Sequence, residues 1–156
     1  IPDVISVAKA LGNGVPIGAC LASNDAAKVL VPGSHGSTFG GNFLSTSVGL
    51  EVLNIMKKKS LCKNARDMGV YLESELNKKL AHLDIIKEIR CIGLMIGIEL
   101  KVNCMHLAQN ALENRLVINV TKENTIRMLP PLILNKEQAD VIVTTLEKII
   151  GEIKYE

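Results

Sequence analysis

The sequence is poor in aromatic residues, which make up 3% of its 156 positions, and it has no tryptophan. Any core must therefore come from Ile, Leu, Val, Met and Ala. The 47% apolar and 22% charged content fits a soluble globular protein, and the length alone fits one domain. Charge is not in excess either. A formal net charge of +2, with cations scattered apart from Lys57, Lys58 and Lys59, excludes an electrostatic argument for a nucleic-acid partner. No signal peptide and no apolar run of membrane-spanning length is present, so the cytoplasm is the expected compartment. Cys20, Cys62, Cys91 and Cys104 form no C-x-x-C pair and have no matching histidine pair. No metal site is expected from them, and they read as buried thiols in a reducing compartment. G-x-G-x-x-G and P-loop patterns are missing, as are internal repeats and low-complexity segments. The chain opens on Ile1 inside a strand-like pattern, from which a longer parent protein is expected.

What is present is organised around Asp3 to Ala19, DVISVAKALGNGVPIGA. Val4, Ile5 and Val7 make a β-branched run that reads as a buried strand. On a period of two, Ile5, Val7 and Lys9 share a face, so the lysine is expected among aliphatic side chains. Desolvation favours the neutral amine, which can attack a carbonyl carbon. Gly12, Asn13 and Gly14 suit a tight reversal with positive φ, and Pro16 fixes its exit.

Ile17 to Ala22 is a second apolar run, expected antiparallel to the first. Asn24 and Asp25 read as the cap of a brief helix to about Val31. A turn-rich loop from Pro32 to Ser37 follows. Asn42 is a candidate N-cap for a helix with Leu44, Val48, Val52, Ile55 and Met56 on its stripe. Ser60 is expected to cap the clearest helix, in which Leu61, Ala65, Met68, Leu72, Leu76 and Leu80 advance by threes and fours. Beyond it, Ile85 to Ile92 and Leu94 to Leu100 read as strands meeting near Gly93, with a short helix after Asn103. Leu116 to Val120 and Thr125 to Leu129 read as paired strands ended by Pro130. Asn135 and Gln138 form a capping box for a last helix whose inner face carries Ala139, Ile142, Val143, Leu146, Ile149 and Ile150.

Three places carry possible chemistry. Lys9 is the first. Ser37 and Thr38 stand between glycines before a helix start, where free N–H groups and the helix dipole suit an anion. Arg127 lies on a largely apolar strand and can present its planar fork to a carboxylate, which a lysine cannot reproduce. His35 reads as ordering its loop, His82 and His106 as surface or packing residues, and Arg90 as structural.

The run AKALGNGVPIGA, the stretch HGSTFGGN from His35 and NVTKENTIRMLPPLIL from Asn119 resemble, in that order, segments of the class III (ornithine-type) aminotransferases. The likeness runs to about Lys148 and is closest to family members acting on N-acetylornithine. It departs at Phe43, where proline is common in the family. The resemblance implies an α/β chain, the C-terminal part of a fold-type I transferase. Residues 1–58 would be a remnant of the large cofactor-binding domain, 59–84 a connecting helix and 85–156 a small α+β domain. It implies pyridoxal 5′-phosphate (PLP) as cofactor, held by Lys9, with Thr38 on the phosphate of a neighbouring subunit in a homodimer. Ser37 would lie near the substrate and Arg127 would hold its α-carboxylate. The implied reaction, in the full-length protein, moves an amino group from N-acetylornithine or a related ω-amine to 2-oxoglutarate, in arginine biosynthesis. Ornithine, succinylornithine and 4-aminobutyrate aminotransferases are the alternatives, with a non-catalytic folded fragment as the rival class. The chain alone is expected not to transaminate.

Overall fold

The computed structural model describes residues 1–153 and divides into two compact units, Ile1–Lys59 and Ser60–Glu156, rather than one domain.

In the first unit β1 (Val4–Val7) pairs antiparallel with β2 (Ala19–Ala22), Val4 opposite Ala22 and Val7 opposite Ala19, in the expected orientation. Both strands are exposed along their whole length, so the expected burial is not met: nothing among the described residues covers them. Helix α1 (Asn24–Ala27) is a single turn capped by Ser23, not by Asn24 or Asp25. The Ser23 hydroxyl oxygen accepts from the Ala26 N–H, and the hydroxyl donates to Asp3. Helix α2 (Phe43–Lys58) starts at Asn42 as expected, where the side chain accepts from the Ser45 N–H at 3.0 Å. Its inner face is rotated from the expected stripe. Ser45 and Gly49 are buried while Leu44 and Ile55 point out, because bare Gly49 lets the helix approach Leu11 and Ile17.

The second unit carries every buried hydrophobic residue among those described, from Leu72 to Ile150. Helix α3 (Leu61–Leu80) follows the expected stripe, with Leu72, Leu76 and Leu80 fully buried. Ser60 precedes it at φ 51 with no side-chain cap; its carbonyl accepts from Lys63 and Asn64 instead. Strands β3 (Ile86–Ile92) and β4 (Met95–Leu100) form a hairpin across Gly93. After α4 (Leu107–Glu113), β5 (Asn119–Thr121) and β6 (Thr125–Met128) complete an antiparallel sheet in the order β3-β4-β6-β5. Strand β5 starts three residues later than expected. Arg115 at φ 61 and the bond from the Leu116 N–H to the Ala111 carbonyl first close the end of α4 in a Schellman motif. Helix α5 (Lys136–Gly151) opens with the expected Asn135–Gln138 capping box. Helices α3 and α5 pack on each other and cover one sheet face, burying Ile96, Ile98, Leu100, Ile126 and Met128. Of the cysteines, all free, Cys104 is buried and Cys91 half-buried. Burial pushes the Cys91 thiol up to about 11 and raises Cys104. Cys20 and Cys62 are exposed against expectation, because β2 is uncovered and Cys62 lies off the α3 stripe.

Gly69 is where α3 crosses the β3–β4 turn. A β carbon there would stand 2.3 Å from the Gly93 carbonyl oxygen, which is backbone and cannot step aside. Helix propensity favours Gly69→Ala by ~1 kcal/mol. Overpacking costs about 1–3 kcal/mol and wins. Gly69→Ala is expected to lower the midpoint of denaturant unfolding, whereas Gly36→Ala, with open space around it, leaves it unchanged.

Candidate active-site residues

Lys9 does not continue β1. Ala8 is still extended, but Lys9 turns to φ 50 and opens a single 3-10 turn, Lys9–Leu11. The alternation that would bury it beside Ile5 and Val7 ends at Val7, and Lys9 is exposed. The left-handed region costs a non-glycine residue about 1–2 kcal/mol, and such strain collects at functional positions. Local hydrogen bonds hold it: Leu11 N–H to Ala8, Gly12 N–H to Lys9 at 3.1 Å and Val15 N–H to Gly12. Asn13 (φ 45) and Gly14 (φ 114) take the positive angles of the reversal, whereas Gly12 is needed for room. A β carbon on Gly12 would lie 2.0 Å from the Val15 carbonyl oxygen. The packing of Gly49 against Leu11 and Ile17 anchors the turn to α2. The result is an accessible primary amine on a locally hydrogen-bonded turn.

Ser37 and Thr38 occupy the exposed segment before α2, as does His35. Among the described residues neither hydroxyl is engaged, and both remain available to an acceptor. The first turn of α2 is partly satisfied by Asn42, so the segment offers hydroxyls more than free helix N–H groups.

Arg127 belongs to the second unit. Ile126 and Met128 on either side of it enter the core, so Arg127 faces the open side of the sheet. It lines a cavity of about 630 Å³ whose other walls include Asn119, Val117, Leu129, Pro131 and Gln138. The turn after the strand is braced by Asn64, whose side-chain amide donates to the Leu132 and Leu134 carbonyls at 2.8 and 3.0 Å. No hydrogen bond or ion pair among the described residues reaches the Arg127 guanidinium. A forked donor without a counter-ion beside an apolar hollow is suited to a carboxylate.

Sequence reasoning gave Glu99 no part. It lies on β4, its side chain 17% exposed, accepting from Lys87 at 2.6 Å and from Arg90 at 2.8 Å; Arg90 also pairs with Glu88. The available signal was position: Glu99 shares a strand face with Gly97, which is paired with Arg127.

A family model for aminotransferase class-III matches residues 1–150, and the chain belongs to that family. Its members depend on PLP. Among relatives, acetylornithine aminotransferase 1 of Bordetella parapertussis is 49% identical over 97% of this chain and 38% of its own length. The acetylornithine aminotransferase of Nitrosomonas europaea is 43% identical over 96% and 38%. The fold matches the ornithine aminotransferase of Plasmodium yoelii with TM-score 0.91 and 38% identity, covering 97% of this chain and 41% of that one. It matches acetylornithine aminotransferase from Elizabethkingia anophelis with TM-score 0.87 and 35% identity, covering 98% and 42%. The chain thus spans about two-fifths of the length of these relatives.

The hydrogen bonds from Lys87 and then Arg90 hold the Glu99 carboxyl down to about 2 from an ordinary 4.5, against the opposing effect of burial. A depressed folded-state pKa means that the ionised cluster stabilises the fold above pH 4.5 and that this contribution is lost as pH falls toward 2. Glu99→Gln is expected to flatten the dependence of Tm on pH across that window; an unchanged slope would assign the acid sensitivity elsewhere.

Proposed function

We propose that this chain supplies the lysine and the carboxylate-binding arginine of a PLP-dependent aminotransferase, which moves the free amino group of N-acetylornithine, or a related ω-amine, to 2-oxoglutarate. The observation that carries the reading is Lys9, an exposed amine held at a left-handed backbone angle on a turn that bare Gly12 permits. The identity to relatives named acetylornithine aminotransferase supports the substrate. Structural likeness to ornithine aminotransferases favours ornithine as the second reading.

Bound PLP supplies an electron sink. Lys9 Nζ would hold PLP and, as a neutral amine, would serve as the base for the proton on the carbon bearing the substrate's amino group. The Thr38 hydroxyl would hold the phosphate of a neighbouring subunit's PLP, a role that goes with a homodimer sharing its sites. Ser37 lies beside the substrate, and Arg127 holds its carboxylate with two parallel N–H donors. In the longer protein, residues 1–58 belong to the cofactor-binding domain, α3 within 59–84 is the connector, and 85–156 form the small domain. Four free thiols support a reducing, cytoplasmic setting, and among the described residues no helix is long and apolar enough to cross a membrane. A role in arginine biosynthesis follows from the proposed substrate.

In the full-length protein, borohydride after PLP addition is expected to leave a pyridoxyl phosphate group on the Lys9 peptide. Finding the label on Lys28 or Lys122, with Lys9 unmodified, would overturn the assignment. Arg127→Lys replaces a fork by a point charge and is expected to cost about 1.5–3 kcal/mol of kcat/KM for both substrates while Lys9 is still labelled. Unchanged kcat/KM would remove Arg127 from the carboxylate site.

A further inference from the structure

Arg90, Gly97, Arg127 and Asn119 form one row across the sheet, each opposite the next in register on β3, β4, β6 and β5. Directly paired residues share a face, so the two arginines stand on the open side with bare Gly97 between them. Glu99 is opposite Thr125, two residues from Arg127 on the neighbouring strand. That is the diagonal position, about 7–8 Å between backbones, which long side chains bridge. No side chain at Gly97 separates the two. Glu99 is therefore a carboxylate within reach of the arginine read as the substrate clamp, and a bidentate pair between them would close the site to an incoming carboxylate.

They do not pair, because Glu99 is turned the other way. One carboxylate oxygen accepts from Lys87 Nζ at 2.6 Å and the other from Arg90 Nη1 at 2.8 Å. Arg90 reaches it by lying across β4 above Gly97: a β carbon there would meet its Nη2 at 3.8 Å and its Nε at 3.9 Å. Glu88, also bonded to Arg90, fixes the guanidinium from the other side. We propose that Arg90, with Lys87, is a positioning residue that holds Glu99 away from Arg127, so that Glu99 does not compete there with the carboxylate of substrate. The inference rests on the reading of Arg127 as that clamp.

The test uses the full-length, PLP-loaded protein, with kinetics and calorimetric binding of glutarate, a non-reacting dicarboxylate. Arg90→Met, which removes the charge and keeps the bulk, is expected to raise KM for 2-oxoglutarate and the dissociation constant for glutarate about five- to tenfold with kcat nearly unchanged. Adding Glu99→Gln should return both constants to near the parent values, because the competing carboxylate is gone. Arg90→Lys, which retains a cation for Glu99, should fall between parent and Arg90→Met. If Arg90→Met acts only by weakening the fold, kcat falls with KM unchanged and Glu99→Gln gives no rescue, which overturns the proposal in favour of a structural role. Arg127→Met separates the two readings. If it leaves glutarate binding intact, the clamp assignment fails. If it abolishes binding while Arg90→Met leaves it untouched, the clamp stands and the positioning role falls.

Discussion

Ile96, Ile98 and Leu100 on β4, with Ile126 and Met128 on β6, face the helices, because α3 and α5, with Leu107 and Ala111 of α4, offer the apolar surface among the described residues on which this sheet buries them. Each fully buried aliphatic side chain contributes about 1.5–3 kcal/mol, so five of them fix the register beyond the reach of any single surface interaction. A strand has a period of two. The same constraint that sends those five inward sends Gly97, Glu99, Thr125 and Arg127 to the other face. A slip of one residue would drive Arg127 and Glu99 into the core and expose the isoleucines. The placement of the candidate carboxylate site is thus a by-product of core packing. Strand β6 needs no special geometry to present its arginine, only the turn after Pro131, which Asn64 braces at the Leu132 and Leu134 carbonyls.

The first unit holds its candidate residues by a different route. It buries no hydrophobic side chain among the described residues, so the lysine turn is shaped by backbone sterics and local hydrogen bonds. Lys9 and Asn13 both sit at positive φ without being glycine, which costs a few kcal/mol that the short β1–β2 ribbon has little means to offset alone. The contact that does constrain the turn is that of α2, through Gly49, against Leu11 and Ile17. A small residue at that point on α2 therefore belongs to the support of Lys9 more than to the helix.

This division explains what the sequence made legible. The α3 and α5 stripes, the capping box at Asn135 and the β3–β4 hairpin at Gly93 are each written in a local period or motif and are present in the structure. The class III resemblance pointed to Lys9, Ser37, Thr38 and Arg127 because it depends on short ordered runs. What escaped was set by tertiary approach or by backbone angle. Lys9 reads as a strand residue because φ leaves no mark on a β-branched pattern. Leu44 reads as core because Ser45 and Gly49, which are the buried pair, carry no hydrophobic signal. Ser60 reads as a capping serine, yet at φ 51 only its carbonyl serves the helix. Glu99 carries no signal in the sequence, because its importance lies in what pairs with it across the strands, and register is not printed in a single strand.

Charge balance on the open face then distinguishes the two arginines. Lys87, Arg90 and Arg127 are cations there, and Glu88 and Glu99 are the carboxylates tied into the network; both carboxylates are bonded to Arg90. Two strand spacings of about 4.8 Å separate the backbones of Arg90 and Arg127, close enough for their like charges to repel. The repulsion is cancelled on one side only. Arg90 is neutralised within the sheet, which leaves the surplus positive charge on Arg127, beside an apolar cavity where an anion is desolvated and a fork-shaped donor is worth most. An arrangement built for stability alone would have given Glu99 to the unpaired arginine. Its commitment to Arg90 and Lys87 leaves Arg127, among the described residues, without a carboxylate partner, and a forked donor in that condition suits an added carboxylate.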